Sequence, residues 1–191
     1  MLKTLTALAW LVLAAAPAAA AGPGVWNADP VHSSAGFTVT HLGISHVQGV
    51  IPIESATIVI PDGSNIPQSA QASFDPAGID TRNSNRDADL RSAHFFDAAT
   101  YPKMEFTSTK IAASDAVHFT MTGDLTMHGQ AHPIVLDGQY LGRTTTPRGQ
   151  ERAAFTAKTT IDRTQWGMTY GGLVAGNTID IEIDIEAVLQ K

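Results

Sequence analysis

Ile179-Asp180-Ile181-Glu182-Ile183-Asp184-Ile185-Glu186 alternates isoleucine with a carboxylate without interruption. Successive side chains of a strand point to opposite faces, so this stretch predicts one face of isoleucine and one of carboxylate. A strand that is wet on one side and dry on the other belongs to an antiparallel sheet rather than a parallel one covered on both faces. The function then turns on what the dry side encloses.

Working back from this strand, the same period recurs between polar turns. Phe37, Val39 and His41 alternate with Thr38 and Thr40. Gly49 to Ile60 predicts a long strand closed by Pro61-Asp62-Gly63, with Pro52 marking a bulge or an edge because it has no N–H to donate. Gln71 to Phe74 predicts a short strand. Lys103 to Lys110 and Val117 to Leu125 follow, then Ile134 to Tyr140, Ala153 to Ala157 and Asn177 to Leu189. Strands at such even spacing indicate an all-β barrel or sandwich. One segment departs from the period. Ser84-Asn85-Arg86-Asp87 carries a serine-x-x-acid helix start, and Leu90, Ala93 and His94 continue at helical spacing, so one helix is expected with Ser84 as its cap.

The N-terminus is of another kind. Lys3, the apolar run Leu5 to Leu13 and the small residues Ala14 to Ala21 predict a cleavable export signal over residues 1–21, leaving a single domain over 22–191. The apolar run is shorter than the roughly 20 residues that span a bilayer, so no stable membrane insertion is expected. Without cysteine, neither a disulfide nor a lipid-anchored cysteine is available, which suits a bacterial periplasmic protein. With Lys3 set aside, eleven basic side chains face eighteen acidic ones, a balance that argues against nucleic acid.

Four clusters carry a family resemblance. They are Asp29-Pro30-Val31-His32-Ser33 with Phe37 to His41; Ile79 to Arg82, Arg86 to Ser92, Phe95-Phe96-Asp97 and Tyr101 to Phe106; Gly123-Asp124-Leu125-Thr126-Met127-His128-Gly129; and Ile161-Asp162-Arg163 with Trp166-Gly167. In this order and spacing the chain resembles the YceI-like family. The resemblance implies an antiparallel up-and-down, lipocalin-like barrel of about eight strands with one helical insertion. It implies a periplasmic carrier of a long apolar amphiphile such as a polyisoprenoid or an isoprenoid quinone. The chain departs from the family at Gly49-Val50-Ile51-Pro52, where a glycine-aromatic step is usual.

Resemblance and alternation together give an expected ligand-contacting set. From the first half it takes Phe37, Val39, Phe74, Arg82, Leu90 and Phe95. From the second it takes Phe106, Phe119, Met121, Leu136, Tyr140, Phe155 and Trp166. Small inward candidates (Ala70, Ala72, Gly123, Ala153 and Ala157) leave room among them. Arg82, Arg86 and Arg91 beside the helix are either a solvated face paired with Asp87, Asp89 and Asp97 or a head-group site.

Competing readings are weaker. His41 with His46, and His128 with His132, lack the partners of a metal site, so no metal and no cofactor are expected, and His32 and His41 are read as hydrogen-bonding residues at the barrel ends. No Gly-x-Ser-x-Gly elbow occurs, and the clearest acid rows face solvent, so no enzyme is expected. An outer-membrane barrel would want a terminal aromatic and two aromatic girdles, which Ala187 to Lys191 and three tryptophans do not supply. The alternative function is a periplasmic stress or partner-binding protein with a filled core. A quinone-using inner-membrane partner and a homodimer are compatible with either reading.

Overall fold

The computed structural model describes residues 23–191, so the export signal expected over residues 1–21 lies outside the described residues. Ten strand segments form one sheet: β1 (Gly24–Ala28), β2 (Ser34–His41), β3 (Ser45–Ile51), β4 (Ile53–Ile60), β5 (Ser69–Phe74), β6 (Met104–Ala113), β7 (His118–Met127), β8 (Gln130–Thr145), β9 (Glu151–Asp162) and β10 (Ala175–Leu189). The order β1-β4-β5-β6-β7-β8-β9-β10 closes on itself through a β1–β10 pairing. β2 and β3 continue the same ring. β1 pairs Trp26 to Ala28 with Leu189 to Ala187, and β2 pairs Ser34 to Val39 with Asp184 to Ile179, so the two share one edge of β10. β3 lies on β2, and β4 lies on β1. The ten segments are therefore an eight-stranded antiparallel barrel with two broken staves.

Both breaks have local causes. Between β1 and β2, the Asp29 carboxylate accepts from Val31 N–H at 3.1 Å and contacts His32 Nδ1 at 3.0 Å, and Asp29 N–H donates to the Glu186 carbonyl. Arg152 then joins Asp29 and Glu186 across the seam. Between β3 and β4 stands Pro52, whose carbonyl accepts from Asp75 N–H at 2.9 Å while the register shifts beyond it. The long strand expected over Gly49 to Ile60 is thus two segments, and β1 is a strand that its short, mixed sequence did not announce.

β5 is too short to shield β3, whose outer edge is bridged to Asp80 through paired Val50–Asp80 bonds of 2.9 and 3.0 Å. The gap is filled by the segment between β5 and β6, including helix α1 (Ser84–Arg91). The cap of α1 is Asn83, not Ser84: the Asn83 side chain accepts from Arg86 N–H at 3.0 Å. Asp87 is drawn away from any capping box because Thr81 N–H and Thr81 Oγ1 both donate to it. The helix also stops earlier than its spacing suggests. Ser92 is the C-cap, and Phe96 N–H returns to the Leu90 carbonyl, so Ala93, His94 and Phe95 lie in turns.

Candidate functional site

The alternation of β10 has the predicted sense. Ile179, Ile181, Ile183 and Ile185 face the interior, while Asp180, Glu182 and Asp184 are exposed, with Glu182 paired to Lys158 at 2.8 Å. The four isoleucines are nevertheless only half-buried. Inward side chains that remain accessible border empty space, and the barrel holds a cavity of about 530 Å³, inside the range of roughly 300–1,000 Å³ usual for ligand sites.

Glycine shapes this space. Phe37 pairs with Gly49, and Phe119 with Gly138. A Cβ at Gly49 would stand 2.5 Å from the Phe37 ring, one at Gly138 2.2 Å from the Phe119 ring, and one at Gly123 2.4 Å from the Phe106 ring. Each ring occupies the place that a side chain on the facing glycine would take, so it packs against the wall around the lumen. Ala70, Ala72 and Ala157 thin the wall further.

Of the thirteen expected residues, ten line the cavity: Phe37, Val39, Phe74, Leu90, Phe95, Phe106, Phe119, Met121, Leu136 and Phe155. Three do not. Arg82 adopts the left-handed backbone (φ 64°), its N–H bound to Asp80 Oδ1 at 2.7 Å, and its side chain is exposed. Tyr140 tilts against Phe155 at 5.5 Å beside the β8 bulge, packed on the core, and does not reach the cavity. Trp166 is a buried plug whose Nε1 donates to the Leu125 carbonyl at 2.9 Å and whose ring meets the edge of His132.

The mouth lies between α1 and the segment joining β9 to β10. Asn85, Arg86 and Asp89 of α1, together with Val174 and His41, reach both the cavity and the surface. Of the arginine trio only Arg86 belongs to the wall, held by Thr81 Oγ1 and the Thr81 carbonyl at 2.8 Å each; Arg91 turns to the Ile79 carbonyl. Donation from Thr81 holds the Asp87 carboxyl below its ordinary value, with Arg91 and Arg86 adding to this, so it stays an anion under Arg86.

Across the mouth, Arg163 is buried, and among the described residues no carboxylate is bonded to it. Its five N–H groups are all taken, by the carbonyls of Gly176, Met168, Tyr170 and Ala175 and by Asn177 Oδ1. Desolvation pulls its pKa below the ordinary value. The chain from Met168 to Asn177 is therefore wound around one cation. The lone Asp162-Arg163 pair could not announce this, because the acceptors are backbone groups. Tyr170 in this segment stacks on His94 at 4.1 Å, and His94 Nδ1 meets Asp89 at 2.7 Å, tying the two sides of the mouth together.

The histidines serve as hydrogen-bonding residues at several turns. His128 Nδ1 meets the Trp166 carbonyl at 2.9 Å, and His118 meets Asp115 at 2.8 Å. Asp29, His32 and Glu186 cluster closely enough to suggest a metal, but Arg152 occupies the space between the two carboxylates.

A closed up-and-down barrel with an apolar interior and a polar mouth defines a lipocalin-like barrel protein. The profile of the YceI-like domain matches residues 26–187, and the chain belongs to that family. It is 31% identical to a UPF0312 protein of Vibrio cholerae over 98% of this chain and 99% of the relative. Among solved structures, it resembles the YceI protein of Campylobacter jejuni at 28% identity and a TM-score of 0.67, covering 80% of this chain and 90% of that one. A polyisoprenoid binding domain from Saccharophagus degradans shares the fold at 15% identity and a TM-score of 0.62, over 86% and 98% of the two chains.

Proposed function

We propose that the protein is a periplasmic carrier, exported by a signal over residues 1–21, that holds a long apolar amphiphile in its barrel and performs no chemistry on it. The observation that carries this reading is the unfilled cavity of about 530 Å³ behind a half-buried isoleucine row. Such a site retains its ligand by area, at roughly 25 cal/mol per Å² of apolar surface removed from water. Phe37, Val39 and Phe74, with Leu90 and Phe95 near the helix, hold the chain of the ligand. Phe106, Phe119, Met121, Leu136 and Phe155 line the rest of its path. Asn85, Arg86 and Asp89 receive its polar head. A polyisoprenoid or an isoprenoid quinone fits this division, and the polyisoprenoid binding domain of like fold supports it. The alternative of a filled core has no counterpart for the empty interior.

Native mass spectrometry of protein from an osmotic-shock fraction, followed by solvent extraction, tests the reading. The expected result is a co-purifying prenyl-type lipid on a chain that begins near Gly22. A ligand-free protein that takes up no polyprenol, or a product retaining Met1 in the membrane pellet, contradicts it.

A further inference from the structure

Two turns stand out at the mouth. The β2–β3 turn presents Leu42 and Ile44, the latter 87% exposed, and the segment before β10 presents Leu173, 96% exposed, with Val174 beside it. Leu42 N–H donates to the Val174 carbonyl at 2.8 Å, so the two turns form one projection. Scattered exposed leucines need no explanation, but a cluster of them on adjoining tips does.

The projection is also uncharged. No Asp, Glu, Lys or Arg occurs between Pro30 and Ile53, or between Thr164 and Ile179, in a chain whose formal net charge is −6. A bilayer interior admits only apolar, uncharged tips, and this acidic chain keeps every carboxylate off both turns. Finally, the projection continues into the cavity. Val174 and the adjoining His41 and Ala175 line it, and Leu42 and Leu173 flank these residues in the chain.

The geometry points to a reversible membrane-docking tip: Leu42, Ile44, Leu173 and Val174 enter the surface of a phospholipid bilayer and bring the cavity mouth against it. The cargo then passes between leaflet and barrel without crossing water. This inference rests on the carrier reading and adds the surface at which loading occurs. Contact only as deep as two turns is compatible with a chain that has no helix, among the described residues, long and apolar enough to cross a membrane. Arg163 keeps the second turn wound in the presenting conformation through its bonds to the Met168, Tyr170 and Ala175 carbonyls.

Flotation of the purified protein with phosphatidylethanolamine–phosphatidylglycerol vesicles tests it. The wild-type protein is expected to float. The double variant Ile44→Ser/Leu173→Ser should partition at least about tenfold more weakly, since two apolar side chains lose their burial. Val135→Ser, which removes an exposed apolar residue from the side wall, should float like wild type. Uptake of N-phenylnaphthylamine without vesicles reports separately on the cavity and should be equal in all three. A wild-type protein that takes up the dye but does not float overturns docking and leaves the carrier reading standing. Dye exclusion by wild type overturns the carrier reading itself, and docking for cargo transfer with it. Equal flotation of wild type and double variant also overturns docking. So does a wild-type dimer, seen by sedimentation velocity, that the double variant abolishes, because a second copy then covers the tips.

Discussion

The two ends of the barrel are made from the same alternating strands but are filled differently. At the β1 end, Trp26, Ile60, Ala153 and Ala187 are each at most 2% exposed, and the Arg143 guanidinium lies 4.7 Å above the Trp26 ring on the far side. Towards the mouth, the inward residues of β2 and β10 are half-buried around empty space. The difference lies in which side chain meets which. A tryptophan fills the first end, and alanines at Ala153 and Ala187, paired across β9 and β10, let the wall close on it. Around the cavity, Phe37 and Phe119 lie over Gly49 and Gly138, so their rings leave the lumen unfilled. One end therefore carries stability, and the other can be emptied to carry a ligand.

The largest contrast is expected from shortening one residue at each end. Trp26→Ala should cost about 3–5 kcal/mol, the range for removing a large aromatic from a packed core. Ile181→Ala should cost much less, because the lost methyl groups already face a void. Urea denaturation of both variants measures this; equal losses would mean that the two ends are packed alike. A charge sharpens the same contrast. Phe119→Asp on the cavity floor should cost several kcal/mol or expel the ligand, since a carboxylate is placed among apolar groups without a partner. Glu182→Lys on the exposed face should do neither. Denaturation together with the lipid content of each purified variant decides between them.

Next comes a substitution that fills the lumen rather than breaking the core. Gly138→Ala puts a Cβ where the Phe119 ring lies and forces the ring towards the cavity. Overpacking of this kind should cost about 1–3 kcal/mol. It should lower uptake of N-phenylnaphthylamine, and the companion Phe119→Leu in the Gly138→Ala background should restore part of it. Unchanged uptake in Gly138→Ala would show that the ring's position does not set the size of the cavity.

The two ends also differ in how far they could be read from sequence. The isoleucine row gave the sense of inside and outside because its period is strict and its polar partners are carboxylates. Ten cavity residues followed from the same alternation or from the family resemblance. Alternation says which way a residue points but not how far along the stave it sits. Tyr140 points inward and still belongs to the packed side, beside a bulge that the pattern does not mark. Trp166 failed for a different reason: its indole N–H needs an acceptor, and the Leu125 carbonyl that supplies it is distant in sequence. The polar mouth was the least legible. Asn85 and Asp89 read as surface residues of a helix, and only the closed barrel places them over an opening. The cap was misplaced by one residue because Asp87, the acid of the serine-x-x-acid signature, is bonded to Thr81 instead. Asn83→Ala should accordingly cost about 1 kcal/mol, within the range for a lost cap. Ser84→Ala should have little effect on thermal unfolding, and the reverse order would restore Ser84 as the cap.

The smallest expected effect concerns acid and the seam at the packed end. Hydrogen bonds from Arg152 and then from His32 lower the Asp29 pKa to about 2. A carboxyl whose folded pKa lies below its unfolded value of about 3.9 contributes stability that is fully present above that value and disappears as pH falls towards the folded pKa. Asp29 is on the surface and screened by solvent, so the contribution is modest. Asp115, lowered to about 2 by the N–H groups of Val117 and His118, titrates in the same window at a turn outside the seam. Asp29→Asn should therefore flatten part of the acid slope of stability between about pH 4 and pH 2, and leave the Asp115 part in place. Urea midpoints across that window measure it, with Asp115→Asn as the comparison. An Asp29→Asn slope equal to wild type would mean that the Arg152 bridge does not hold the broken stave to β10. Because the seam lies at the packed end, lipid content at pH 7 should be the same in both variants.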